Sequence, residues 1–148
     1  MAIEVFKSTT KLTEGMRVEC TARDHQILLD EPTGLGGTDT GMNPVEAVLC
    51  ALGACKCIVA RCFAKAHKID LQDFRIELEG DLDPDGFMGK NKDAKIGFST
   101  VRSKIYIKSN SSKEDIEKFV EFIDRTCPVA DTLANSPKLV TELTIKEK

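Results

Sequence analysis

Between Ala47 and Ala60 the chain reads AVLCALGACKCIVA, and Lys56 is its only charge. Asn43 suits a helix cap just before this run, and Pro44 suits the first helical position. Glu46 falls in the first turn, where the helix dipole favours a carboxylate. The pattern predicts a helix from Pro44 to about His67. A helix apolar on nearly all sides must be buried. Ala47, Ala51, Gly53 and Ala54 are small enough to let other elements approach it closely. A buried central helix surrounded by sheet is therefore the main architectural expectation.

The flanking segments supply that sheet. Residues 3–9 (IEVFKST) and 16–22 (MRVECTA) alternate with period two and are expected to be strands. Arg23, Asp24 and His25 form a tight turn into a third, QILLD. Glycine and proline mark EPTGLGGTDTGMN as loop. Beyond the helix, FRIELEGDLD is strand-like, PDGFMGKNKDAK a polar loop and VRSKIYIKS another strand. Ser111 or Ser112 can cap the helix KEDIEKFVEFIDRT, where Ile116, Phe119, Val120 and Ile123 fall at helical spacing. Cys127-Pro128 opens a short helix, PVADTLAN, and KLVTELTIK is expected to close the chain as a strand. One domain of the α+β class, with mainly antiparallel sheet, fits this order.

Composition removes several functions. A net charge of -3, one Tyr and no Trp leave neither a basic footprint nor an aromatic platform for nucleic acid. No stretch approaches the roughly 20 apolar residues that span a bilayer. The N-terminal MAIEVFKSTTKLTEG lacks the apolar run of a signal peptide, so a cytoplasmic location is the expectation. Thiols stay reduced there, so six irregularly spaced cysteines are not a disulfide framework.

Zinc is excluded on spacing. Cys55 and Cys57, two apart on a helix, point about 200° away from each other. Nothing resembles a pair of C-x2-C motifs. Free buried cysteines act as small hydrophobes, which suits Cys20, Cys50, Cys57 and Cys62, and taken alone Cys55 too. Cys127 differs, because a helix N-terminus beginning at Pro128 would favour its thiolate. Spacing makes Cys127 a candidate reactive thiol and leaves its partner unnamed. His25 and His67 read as surface or turn residues. Asp81, Asp83 and Asp85 lack a full calcium ligand set. Gly36-Gly37 serves backbone geometry, since no G-x-G-x-x-G accompanies it.

Five pieces together resemble the OsmC/Ohr family of osmotically inducible and organic hydroperoxide resistance proteins. They are D-E-P at Asp30 to Pro32, G-G-T-D-T-G at Gly36 to Gly41, N-P-V-E at Asn43 to Glu46, L-G-A-C at Leu52 to Cys55, and C-P-V at Cys127 to Val129. The resemblance implies an intertwined homodimer, with curved antiparallel sheets wrapped around central helices and active sites at the subunit interface. A helix too apolar for one chain of this length to cover agrees with that. The implied chemistry starts with a Cys55 thiolate that attacks an organic hydroperoxide, releases an alcohol and becomes a sulfenic acid. Cys127 then forms a disulfide with it, and an external dithiol, of lipoyl type in some members, reduces the pair. Sulfur carries both electrons, so no metal or flavin cofactor is implied.

The same resemblance supplies a cation for the thiolate, because burial alone raises a thiol pKa. Arg17 fills that position, with Arg23 as the alternative; the plain readings are a solvated strand arginine for Arg17 and a turn residue for Arg23. Glu46 would hold the cation. The peroxidase branch, however, has its glutamate directly after N-P, where this chain has Val45, as in P-x-E members with A-L-G-x-C. Glu46 also lies roughly half a turn out of phase with Cys55, and a role confined to the helix N-terminus explains it equally. The rival to a peroxidase is a non-enzymatic dimer of the same shape that binds a small apolar ligand or senses oxidants.

Overall fold

A computed structural model describes residues 1–146. The chain divides into two compact units, Met1–Cys50 and Ala51–Lys148. In the first, β1 (Thr9–Leu12), β2 (Val18–Ala22) and β3 (His25–Leu29) form an antiparallel sheet in the order β1-β2-β3. Thr9 lies opposite Thr21 and Ala22 opposite His25, across a two-residue turn with Arg23 at φ 53. The turn between β1 and β2 closes through Arg17 N–H to the Glu14 carbonyl at 3.0 Å, and Gly15 takes φ 60 there.

The expected strand over residues 3–9 is corrected: pairing begins only at Thr9. Its partner β2 ends at Ala22, so residues further back have no strand opposite them among the described residues. Ile3 and Phe6 are fully exposed. The second strand likewise starts at Val18, because Met16 and Arg17 belong to the turn.

The glycine-rich loop after β3 is organised by one buried carboxylate. Asp30, 1 % exposed, accepts hydrogen bonds from the hydroxyls of Thr38 (2.6 Å) and Thr40 (2.9 Å). It also accepts from the amides of Glu31 (2.8 Å), Thr38 (3.1 Å) and Thr40 (3.1 Å). A buried charge is tolerable only when saturated in this way. A single 3-10 turn, Thr33–Leu35, sits inside the loop, and Gly36 ends it at φ 90. A Cβ at Gly37 would lie 1.8 Å from the Glu31 carbonyl oxygen, so glycine is required for close backbone approach, as its spacing suggests.

The long helix α1 spans Pro44–Phe63. Asn43 Oδ1 accepts the Glu46 N–H at 2.9 Å and Glu46 Oε2 accepts the Asn43 N–H at 2.8 Å, a reciprocal capping box. Helical turns continue to Lys68, at φ 56, where Ile69 N–H reaches back to the Ala64 carbonyl at 2.8 Å and ends the helix in a Schellman-type closure.

In the second unit, β4 (Asp73–Asp81) pairs antiparallel with β5 (Thr100–Lys108), Phe74 facing Ile107 and Gly80 facing Val101. Asp83 caps a one-turn helix α2 (Pro84–Phe87) inside the segment expected to be loop; Asp83 accepts the Asp85 N–H and Pro84 presets the first turn. Ser112 rather than Ser111 caps α3 (Lys113–Thr126), and α4 (Pro128–Ala134) follows at once.

The core joins Leu52, Val59 and Ala60 of α1 with Ala64, Ile69, Phe119, Ile123 and Cys127. Phe74, Leu78, Val101 and Ile107 of the β-hairpin pack against it. A Cβ on Gly53 would come within 2.7 Å of Leu78, so the bare backbone there lets α1 sit close on β4. The central helix is thus buried along one side. The opposite residues Ala51, Ala54, Ile58 and Cys62 are exposed, Ile58 at 63 %. The strand expected over residues 138–146 does not form; it has no pairing partner among the described residues, and Leu139, Leu143 and Ile145 are exposed.

Hydrogen bonding by the Thr38 hydroxyl, aided by Thr40 and the Glu31 amide against the opposing effect of burial, holds the Asp30 carboxyl well below the ordinary carboxylate range. A depressed carboxylate contributes stability above its unfolded pKa of about 4, and loses it as pH falls toward the native value. Urea unfolding of Asp30→Asn should show lower stability at pH 7 and a shallower decline below pH 4 than the wild type. Parallel acid limbs would contradict this role.

Candidate active site

Two sulfurs meet where α1 passes the junction of α3 and α4. Cys55 lies on α1 between Leu52 and Val59, the core residues three before and four after it. Cys127 closes α3, its N–H reaching the Ile123 carbonyl at 3.0 Å, and also caps α4. Its Sγ accepts the Ala130 N–H at 3.4 Å. The Cys127-Pro128 pair thus does place this thiol at a helix N-terminus, as spacing predicts. Exposure separates the two: Cys127 is 1 % exposed, whereas Cys55 is half-buried and reachable.

Cys55 packs against the core cluster that contains Cys127, and the two thiols influence each other. Burial pushes the Cys55 thiol pKa up, and the adjacent Cys127 adds to this, because two neighbouring sulfurs resist carrying charge together. The backbone N–H of Val129 acts in the other direction, favouring the Cys55 thiolate. The first amides of α4 therefore serve both sulfurs, Val129 for Cys55 and Ala130 for Cys127. Cys57 is also pushed up by burial, with no sulfur partner among its causes. Cys50 and Cys62 are exposed and Cys20 lies half-buried in β2.

The remaining candidates belong to the first unit. Arg17 is half-buried just before β2, and its Nε is buried with no hydrogen-bond partner among the described residues. Arg23 is exposed at the β2–β3 turn, in the left-handed conformation. Glu46 is engaged in the capping box, so its carboxylate has a structural use at the head of α1.

Two features escaped sequence reasoning. The α4 amides could have been anticipated from Pro128, which marks the helix start, but not their reach to Cys55. Lys56 was visible only as a lone charge in an apolar run. Its side chain is 9 % exposed, and Nζ lies 2.8 Å from Asp124 Oδ1 and 3.3 Å from Ser103 Oγ. An open cleft of about 550 Å³ is lined by Arg61, Lys65, Lys68, Asp70 and their neighbours, and neither sulfur borders it.

The family model described as OsmC-like protein matches residues 37–142. The chain is 26% identical over 128 residues to the hydroperoxide reductase of Mycoplasma genitalium, covering 86% of each. It is 25% identical over 134 residues to the hydroperoxide reductase of Mycoplasma pneumoniae, covering 90% of each. Among solved structures it is similar to the OsmC-like protein from Mycoplasma pneumoniae, with a TM-score of 0.79 and 24% identity over 90% of this chain and 89% of that one. An organic hydroperoxide resistance protein OsmC from Legionella pneumophila gives 0.67 and 21%, over 91% and 93%. The likeness in shape to both structures establishes the antiparallel α+β fold.

A pairing test follows from the geometry. Mild oxidation of the folded protein with oxidised dithiothreitol should link Cys55 to Cys127 within one chain. Peptide mapping should find Cys57 still a thiol. A Cys55–Cys57 bridge, or no intrachain bridge at all, would contradict this arrangement.

Proposed function

The chain belongs to the OsmC-like protein family, and from that premise we propose that it is a thiol-dependent peroxidase for organic hydroperoxides. One observation carries this reading: a reachable sulfur, Cys55, packs against the core cluster that holds a buried one, Cys127, which is near enough to shift its pKa. The names of the two hydroperoxide reductases favour the same chemistry.

In this mechanism the Cys55 thiolate attacks the outer oxygen of the hydroperoxide and breaks the O–O bond. The leaving alkoxide takes a proton and departs as an alcohol, and Cys55 becomes a sulfenic acid. The Cys127 sulfur displaces the hydroxyl, giving a Cys55–Cys127 disulfide and water. An external dithiol, of lipoyl type by family resemblance, returns both thiols by exchange. The division of labour follows exposure, since a peroxide reaches Cys55 and not the enclosed Cys127.

The raised pKa of Cys55 is the obstacle, for the thiolate is the nucleophile. Val129 offsets part of it. We assign the remainder to Arg17, whose buried Nε lacks a partner among the described residues. Glu46 is assigned the support of the α1 head, with any hold on the cation secondary to its capping bonds. A second copy of the chain is proposed to cover the exposed Ala51, Ala54, Ile58 and Cys62 side of α1, which would enclose the sulfurs in an apolar cleft. Sedimentation at about twice 16.3 kDa supports that pairing, and a monomer contradicts it. The cytoplasm, with reduced thiols, is the proposed location.

Two substitutions test the assignment. Cys55→Ser should lower dithiol-dependent consumption of an organic hydroperoxide by about 100-fold or more, the loss expected when a nucleophile is removed. Arg17→Met should raise the midpoint of the pH–rate profile, and a midpoint about one pH unit higher lowers the rate at pH 7 by about tenfold. Full turnover by the Cys55 variant sinks the Cys55-based mechanism, whereas a wild-type chain whose thiols stay reduced under hydroperoxide favours the non-enzymatic binding role instead. An unmoved midpoint in the arginine variant removes Arg17 from the site.

A further inference from the structure

The sulfur chemistry leaves one buried charge unexplained. Lys56 follows Cys55 directly, and its ammonium is held by Asp124 on α3 and Ser103 on β5, at 2.8 and 3.3 Å. Removing an ammonium from water is unfavourable, and an apolar residue of similar volume would fill the same space. What the ion pair adds is direction. Leu52, Val59 and Ala60 of α1 share an apolar core with Phe119 and Ile123 of α3. Apolar contacts of that kind are non-directional and leave a helix free to slide or to turn about its axis. A charge-assisted hydrogen bond holds only within a narrow range of distance and angle.

The tie falls within one turn of each sulfur. Lys56 is the residue after Cys55, and Asp124 stands three before Cys127. No loop separates α3 from α4, so the position of α3 passes to the Cys127 sulfur without slack. Resting on the reading that Cys127 resolves a Cys55 sulfenic acid, we propose that the Lys56–Asp124–Ser103 cluster positions the two sulfurs for that second step. Lys56 and Asp124 are positioning residues, acting through the helices that carry the cysteines. They set the S–S approach and leave the first attack on peroxide unchanged.

Single-turnover measurements on Lys56→Met and Asp124→Asn, well below each variant's melting temperature, separate the steps. Lys56→Met keeps the aliphatic stem and loses the charge. Asp124→Asn alters only the exposed end of the pair, and carries the same comparison if the buried variant does not fold. Trapping of the Cys55 sulfenic acid by a diketone probe should proceed within about twofold of the wild type. Conversion to the Cys55–Cys127 disulfide should slow by about tenfold or more, since small misplacement of reacting groups is expensive in rate. The sulfenic acid should then accumulate and pass to sulfinic acid under excess hydroperoxide. Lys56→Arg, which keeps the charge, should recover part of the rate. Disulfide formation at the wild-type rate in the folded variants overturns the proposal. Equal slowing of both steps also overturns it, because that marks general loss of structure. A wild-type chain that forms no sulfenic acid overturns the peroxidase reading first, and the positioning role with it.

Discussion

One residue, Cys127, ends α3 and begins α4 with nothing between them. This shared cap governs the geometry of the site. The buried Phe119 and Ile123 fix α3 in the core, and the last turn of that helix then fixes a sulfur. Pro128 sets the direction of α4 so that its first free amides turn back toward both thiols. A loop of even two residues here would uncouple the sulfur from the core that positions it.

The electrostatics of the site are a balance of opposing causes. Burial of Cys55 and its closeness to Cys127 favour the neutral thiol, while Val129 favours the thiolate. Adjacent sulfurs are needed for a disulfide, and the same adjacency makes ionising either one harder. Under the proposed peroxidase reading, a cation would have to make up the difference. Arg17 has a buried guanidinium nitrogen left unsatisfied among the described residues, whereas Lys56, nearer in sequence, is already engaged by Asp124.

Local signals in the sequence were sufficient for α1, α3 and α4, though not for the one-turn α2. Asn43, Pro44 and Glu46 announced the start of α1, a serine at 111 or 112 and the Ile116–Phe119–Ile123 spacing announced α3, and Cys127-Pro128 announced α4. Each depends on residues within a turn or two of each other. What failed to be legible depends on distant partners. The alternation in residues 3–8 and 138–146 marks segments able to pair, but alternation carries no information about what lies opposite. The D-E-P and G-G-T-D-T-G pieces could be matched to a family without revealing that Thr38 and Thr40 both bond Asp30, because only the folded loop brings them together. Glu46 was ambiguous for the opposite reason: its capping bond is local, and a local bond already gives its carboxylate a use. The pairing of Lys56 with Asp124 joins two helices and has no trace in either segment alone.

Thiol counting against hydroperoxide consumption reaches the central claim most directly. The fully reduced protein has six free cysteines. With one equivalent of an organic hydroperoxide and no reductant, each chain should consume that equivalent and lose two titratable thiols, traced by peptide mapping to Cys55 and Cys127, with a dithiol restoring both. Persistence of the hydroperoxide, or loss of thiols from any other pair while Cys55 stays reduced, would contradict the account.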